Sequence, residues 1–95
     1  MFEADVRHLI LQRKWMNSMI RLENINRYKD HVICDIYPED SEKKGTLDVN
    51  LQTGYAEYEL PVGYEYCESH IHHAYRWIKE FKGEEYPHNK TIMWY

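Results

Sequence analysis

The residues best suited to chemistry lie in one short stretch, CESHIHHAYRW, residues 67–77. It places the thiol of Cys67 close in sequence to the imidazoles of His70, His72 and His73. Thiolate and imidazole are ligands for transition metals, and together they can also form a nucleophile and its base. The spacing of these residues decides between those two chemistries and the ordinary packing of a helix.

A metal site requires ligands that reach the same ion. His70 and His73 are three residues apart and would be neighbours on a helix. However, each step of three residues turns about 60° backwards around the helix axis, so Cys67, His70 and His73 fan out. The stretch therefore supplies two ligands at best, and a zinc ion would need a further one, such as Cys67 or His88, or His31 from further away. The leading prediction is no metal and no cofactor, with a zinc site using His70 and His73 as the alternative.

Catalysis by a cysteine nucleophile is also a weak fit. Cys67 falls near the start of the predicted helix, where backbone dipoles lower the pKa of a thiol, and His70 could act as its base. Yet Cys67 belongs to the apolar stripe of that helix, and a thiol that faces the core is inert. No third orienting group, phosphate-binding glycine loop or nucleophile elbow is present in the sequence. We therefore predict no catalytic residues, and that the protein is not an enzyme.

An amphipathic helix of about 18 residues explains the stretch without a ligand. Its apolar stripe steps by four, three, four and three residues, through Cys67, Ile71, Ala74, Ile78 and Phe81. Acidic residues near its start and lysines near its end suit the helix dipole, and Gly83 would end it. We expect Cys67 to pack as a small hydrophobe, and His70 and Trp77 to flank the stripe. The remaining polar residues form the solvated face: Ser69, His72, His73, Arg76 and Lys79.

Strands that alternate apolar and polar residues must position this helix. Residues 19–25, 31–37, 46–51 and 56–60 each alternate with period two, which is typical of antiparallel strands with one buried face. Residues 91–95 are β-branched and aromatic and predict a final strand. The fold class predicted is α+β: a small antiparallel β-meander, one helix packed on one face, and a final short strand.

The most sharply patterned segment is a hairpin over residues 46–60. Pairing Val49 with Tyr58 and Leu51 with Ala56 would place all the apolar side chains on one face. This register leaves residues 52–55 as a four-residue loop, in which Gly54 supplies a positive φ. The charged run at 39–45 is expected to be a solvated loop.

The domain boundaries follow from the same patterns. Residues 18–95 form one α+β domain, and residues 1–17 are predicted to be an N-terminal arm or short helix, loosely attached. The N-terminus lacks the features of a signal peptide, and no apolar run approaches the roughly 20 residues of a membrane span. With two cysteines in 95 residues, we expect reduced thiols and a cytoplasmic protein without membrane partners.

The aromatic content carries the functional prediction. Nine tyrosines and three tryptophans exceed what one small core needs, and such rings are favoured at protein interfaces. We therefore predict a non-catalytic protein that acts through contacts with a protein partner or as a homodimer, with Tyr55, Tyr58 and Trp77 as interface candidates. Single-stranded nucleic acid on exposed aromatics is a further alternative. The net charge of −4 and the glutamates between the tyrosines speak against it.

Overall fold

A computed structural model of the chain describes residues 18–94. The predicted N-terminal arm, residues 1–17, and the last residue, Tyr95, lie outside the described part. Five strands and one helix follow in the order β1, β2, β3, β4, α1, β5. Their bounds are β1 Met19–Tyr28, β2 His31–Pro38, β3 Gly45–Asn50, β4 Ala56–Glu59, α1 Glu68–Glu80 and β5 Lys90–Met93.

The strands form a single antiparallel sheet in the order β4-β3-β2-β1-β5. Strands β1 to β4 are a meander in which each strand pairs with the next in sequence, and β5 returns to pair with β1. The predicted α+β class is confirmed, including the helix on one face and the final strand. In the part of the chain that the structure describes, no helix has the length and apolar character needed to cross a membrane.

The core lies between α1 and one face of the sheet. Alternation in β2, β3 and the first part of β1 sends every second side chain to this face, and a register shift between Glu23 and Asn26 brings Ile25 there as well. The helix α1 covers this face with its own apolar stripe. Burying each such side chain stabilises the fold by about 1.5–3 kcal/mol relative to leaving it in water. The cluster consists of Ile20, Leu22, Ile25, Val32, Cys34, Ile36, Leu47, Val49, Ile71, Ala74 and Ile78.

The helix is shorter than predicted. It spans 13 residues, Glu68–Glu80, rather than about 18. Residues 61–67 form two successive turns instead, in which the amide of Tyr64 donates to the carbonyl of Pro61 and that of Cys67 to Tyr64. At the other end, Phe81 is extended, so the helix stops before Gly83. Glu68 in the first turn and Lys79 in the last agree with the predicted match of charges to the helix dipole.

The β3–β4 hairpin has the predicted face but the wrong register. Val49 pairs with Ala56 and Leu47 with Tyr58, a shift of two residues from the predicted pairing. The turn occupies residues 51–55, because the side-chain carbonyl of Asn50 accepts hydrogen bonds from the amides that follow it. These bonds turn the chain out of line with β3 directly after Asn50, so Leu51 does not pair with β4. Gly54 has the expected positive φ, 78°.

The first prediction concerns Gly45, which is buried where β3 meets the end of β4. A β-carbon there would collide with the backbone carbonyl oxygen of Glu59 and would crowd Pro61 and Ile36. Since backbone cannot easily move aside, Gly45→Ala should lower the free energy of unfolding by about 1–3 kcal/mol in urea denaturation. Thr46→Ala, at the exposed neighbouring position, is the control and should cost under about 1 kcal/mol. Equal losses in the two variants would show that the close approach at Gly45 is not a constraint.

Candidate metal centre

The chain segment after β2 does not behave as the solvated loop predicted for 39–45. Glu39 is 6% exposed and Ser41 is fully buried. The guanidinium of Arg21 donates to the carbonyl of Ser41 at 2.7 Å, and the amide of Glu39 donates to the carbonyl of Met19 at 3.0 Å. The second bond extends the β1–β2 pairing, in which Ile20 faces Pro38, by one residue, and the first attaches the following turn to β1. Its later residues, 42–44, are exposed as expected.

The backbone of Glu39 turns its side chain inwards. Its φ of 57° lies in the left-handed region, which non-glycine residues rarely adopt and which costs about 1–2 kcal/mol. This conformation directly follows Pro38, the last residue of β2. The result is a carboxylate buried beneath the start of α1.

Three potential metal-ligand atoms meet at this point. The Sγ atom of Cys67 and the Nε2 atom of His70 each lie 3.5 Å from Oε2 of Glu39. All three atoms are within 4.8 Å of one another. The three residues are buried, with Cys67 fully enclosed and His70 5% exposed. Among the described residues, this is where glutamate, cysteine and histidine converge in a mutually close group.

The start of α1 positions two of these groups. Cys67 is the N-cap residue of the helix, and the amide of His70 donates to its carbonyl at 3.0 Å. Two side chains three positions apart are therefore neighbours at the helix surface. The pair Cys67–His70 was recognisable from its spacing, whereas the third member, Glu39, is a residue that the sequence analysis assigned to solvent.

The other histidines considered from the sequence lie elsewhere. The ring of His73 stacks on Trp94 with centroids 3.8 Å apart, and burial lowers its pKa, helped by nearby Arg76 and His72. His88 is exposed, and its carbonyl accepts a hydrogen bond from the amide of Ile25. His31 contacts the Asp48 carboxylate at 2.7 Å on the sheet. Among the described residues, none of these three histidines joins the group of ligand atoms at Glu39, Cys67 and His70, although His70 and His73 both contact the ring of Trp94.

Tyrosine hydroxyls hold the acidic groups of this segment in place. The hydroxyl of Tyr66 donates to Oε1 of Glu39 at 2.8 Å, so this bond and the contacts of Cys67 and His70 use different carboxylate oxygens. One turn away, the hydroxyl of Tyr64 donates to Asp40 at 2.8 Å, and the two tyrosine rings stack at 6.2 Å. The bond to Glu39, with burial of the hydroxyl, raises the pKa of Tyr66.

The electrostatics at Cys67 oppose a free thiolate. Burial raises the pKa of the thiol to about 12, with further contributions from the charge and the hydrogen bond of Glu39. These effects outweigh the decrease in thiol pKa that a position at a helix N-terminus usually causes. A bound cation would reverse the balance, because a positive charge stabilises carboxylate and thiolate together.

The interface candidates occupy two different environments. Tyr55 and Tyr58 are 65% and 42% exposed, beside and within β4. Trp77 instead packs among aromatic rings, with centroids 5.4 Å from Phe81 and 6.0 Å from Tyr86. Its ring therefore contributes to packing below the helix end, while the two tyrosines face solvent.

Comparisons with known proteins found no match. No protein-family model matches this chain, and no curated protein or solved structure is significantly similar to it.

The second prediction tests the state of the Cys67 thiol. Cys34→Ala leaves Cys67 as the only cysteine, and its reaction with a disulfide reagent at pH 8 should be about 10–100-fold slower in the native, chelator-treated protein than in denaturant. The small thiolate fraction outweighs the higher nucleophilicity of a high-pKa thiol. Glu39→Gln in the same background should accelerate the reaction, because it removes the adjacent negative charge. A native rate equal to the denatured rate would mean that Cys67 is an exposed, reactive thiol.

Proposed function

We propose that this protein binds a divalent transition metal, zinc in the first instance, through Glu39, Cys67 and His70. The observation that carries the proposal is the convergence of three different ligand atoms, all buried, within 4.8 Å. The ligand set differs from the one anticipated from the histidine spacing, since Glu39 replaces His73.

Two of the three ligand-atom separations suit a tetrahedral ion, and the third, from Cys67 to His70, is within 4.8 Å. Zinc–sulfur bonds of about 2.3 Å and zinc–nitrogen or –oxygen bonds of about 2.0–2.1 Å imply ligand atoms about 3.3–3.6 Å apart at tetrahedral angles. The separations of 3.5 Å from Glu39 Oε2 to Cys67 Sγ and to His70 Nε2 fall in this range. The mixture of sulfur, nitrogen and oxygen also favours zinc over magnesium or calcium, which prefer oxygen ligands alone.

The surroundings of Glu39 support the same conclusion. Metal-binding carboxylates usually accept a hydrogen bond that fixes their orientation. The hydroxyl of Tyr66 does this at Oε1, which leaves Oε2 directed at the cysteine and the histidine. The backbone of Glu39 is itself in an unfavourable conformation, with φ 57°, and strained residues of this kind cluster at functional sites.

Charge balance gives a further reason. A buried carboxylate is costly unless it is neutralised, and a thiolate beside it would add a second negative charge. A doubly positive ion compensates both, with the imidazole neutral. Because binding displaces the thiol proton, zinc affinity should rise with pH, by up to about tenfold per unit below the pKa of Cys67. Three protein ligands leave one tetrahedral position for an exchangeable ligand, which suits a metal-binding or metal-sensing role.

The setting proposed is a reducing one, such as the cytoplasm. Cys34 and Cys67 are both free and buried, and oxidation of Cys67 would remove a ligand. We propose no catalytic activity for the ion.

The third prediction is stoichiometric zinc binding. Native mass spectrometry and calorimetric titration of untagged, chelator-treated protein should give one ion per chain. Cys67→Ala, His70→Ala and Glu39→Gln should each weaken binding by at least about a hundredfold, and Tyr66→Phe by about 10–100-fold because it only orients the carboxylate. His72→Ala and His73→Ala, on the same helix, are the matched controls and should bind within about threefold of the parent.

Two outcomes would overturn the proposal. Either the chelated protein takes up no stoichiometric zinc, or the three ligand variants bind as well as the His72 and His73 controls. In the first case the carboxylate is simply a buried group held by hydrogen bonds from Tyr66 and Cys67. The absorption spectrum of the protein with cobalt in place of zinc tests the role of Cys67 directly. A thiolate-to-cobalt charge-transfer band appears only if Cys67 is a ligand.

Contacts with other proteins are the second candidate function. The observation in its favour is the pair of exposed rings, Tyr55 and Tyr58, at the outermost strand of the sheet. Single-stranded nucleic acid is less well supported, because Glu57 and Glu59 flank Tyr58 in β4 and Glu68 accepts a hydrogen bond from its hydroxyl, so phosphates would meet negative charge there.

A further inference from the structure

Strand β4 is the outermost strand of the sheet at one side. It pairs with β3 through Ala56–Glu59, and no described strand pairs with its other edge. Such an edge presents backbone N–H and C=O groups that can pair with another extended chain.

The two sides of β4 differ in chemistry. Ala56 and Tyr58 pair with buried Val49 and Leu47, so they lie on the helix side of the sheet. Glu57 lies opposite Asp48 and, like Glu59, projects to the other side, where both glutamates are exposed. A chain that paired with this edge would meet an apolar environment and an acidic one at alternate residues, because strand side chains alternate between faces.

On the helix side, a cleft of about 280 Å³ separates β4 from α1. It is lined by Gly54, Ala56, Tyr58, Ile71 and Tyr75, together with the polar residues Glu68 and His72. Two hydrogen bonds hold its walls, from Tyr58 to Glu68 at 3.2 Å and from Tyr75 to the carbonyl of Gly54 at 2.7 Å. The volume lies just below the range of about 300–1,000 Å³ typical of small-molecule pockets. It suits one or two aliphatic side chains that arrive on an adjacent strand.

We propose that the β4 edge binds an extended, basic segment of a partner protein, which pairs as a sixth strand. This inference rests on the second candidate function and gives it a site and a class of partner. Aliphatic side chains of the segment enter the cleft, while lysines or arginines at the alternate positions meet Glu57 and Glu59. Backbone pairing supplies affinity and the alternating pattern supplies specificity, as in other cases of strand addition.

Charge argues against a second copy of this chain as the occupant. Two β4 edges related by a twofold axis would bring the Glu57 and Glu59 side chains of both copies together on one face. Like charges on adjacent strands are destabilising, and the chain already carries a net charge of −4. Glu57 and Glu59 therefore have two effects: they disfavour pairing between two copies of this chain, and they attract a basic segment of another protein.

The test uses a nine-residue peptide of alternating lysine and valine with blocked ends, labelled for fluorescence anisotropy. The fourth prediction is saturable binding at low salt. A glutamate–valine peptide of the same length should not bind, and N-methylation of two amides on the paired edge should weaken binding at least tenfold by removing backbone donors. The double variant Glu57→Lys, Glu59→Lys should also weaken binding at least tenfold.

The control is the double variant Glu84→Lys, Glu85→Lys. It changes the net charge equally at two exposed positions outside the sheet, and should bind within about threefold of the parent. Equal losses in both charge variants, or equal binding of the N-methylated peptide, would mean non-specific attraction and would overturn the proposal. Absence of binding, or parent protein that dimerises through β4, would overturn it too. The peptide should bind equally to chelator-treated protein and to protein supplied with zinc, so failure here is separate from failure of the zinc site.

Discussion

Burial of one face of the sheet beneath α1 is the interaction on which the rest of this structure depends. The core face of β1, β2 and β3 has no other described cover that runs its length, and each apolar side chain removed from water contributes about 1.5–3 kcal/mol. Seating α1 there brings Cys67 and His70, at its first turn, over the end of β2. The position of the candidate metal centre is thus a consequence of hydrophobic packing.

Burial of the Glu39 carboxylate beside the start of α1 is the second constraint. Glu39 is enclosed among Cys67, His70 and Tyr66, although its backbone conformation is unfavourable. A buried carboxylate needs compensation, and each of these neighbours offers a donor or a metal ligand. The site therefore connects the segment after β2 to the start of α1, so that occupation by an ion would also stabilise the fold.

The two ends of the described sheet show how its edges are arranged. Both β4 and β5 are only four residues long, and each carries exposed charge, with Glu57 and Glu59 in one and Lys90 in the other. Short, charged edge strands limit indiscriminate pairing. At β4, the neighbouring cleft adds an apolar surface that a suitably patterned partner could use.

Local patterns in the sequence determined the fold class, the strands of the meander, the buried position of Cys67 and the positive φ of Gly54. These features depend on periods of two and 3.6 residues and on glycine at one turn, all readable over a few positions. The folded structure decided the two-residue shift of the β3–β4 register and the late start of α1 through turn hydrogen bonds that no period of two or 3.6 residues encodes, and tertiary contacts alone decided the burial of Glu39. Side-chain bonds at Asn50, turns at Tyr64 and Cys67, and the Arg21–Ser41 contact set these features. Several of the decisive contacts join residues distant in the chain, where no local period operates, so Glu39 could join Cys67 and His70 only once the chain had folded.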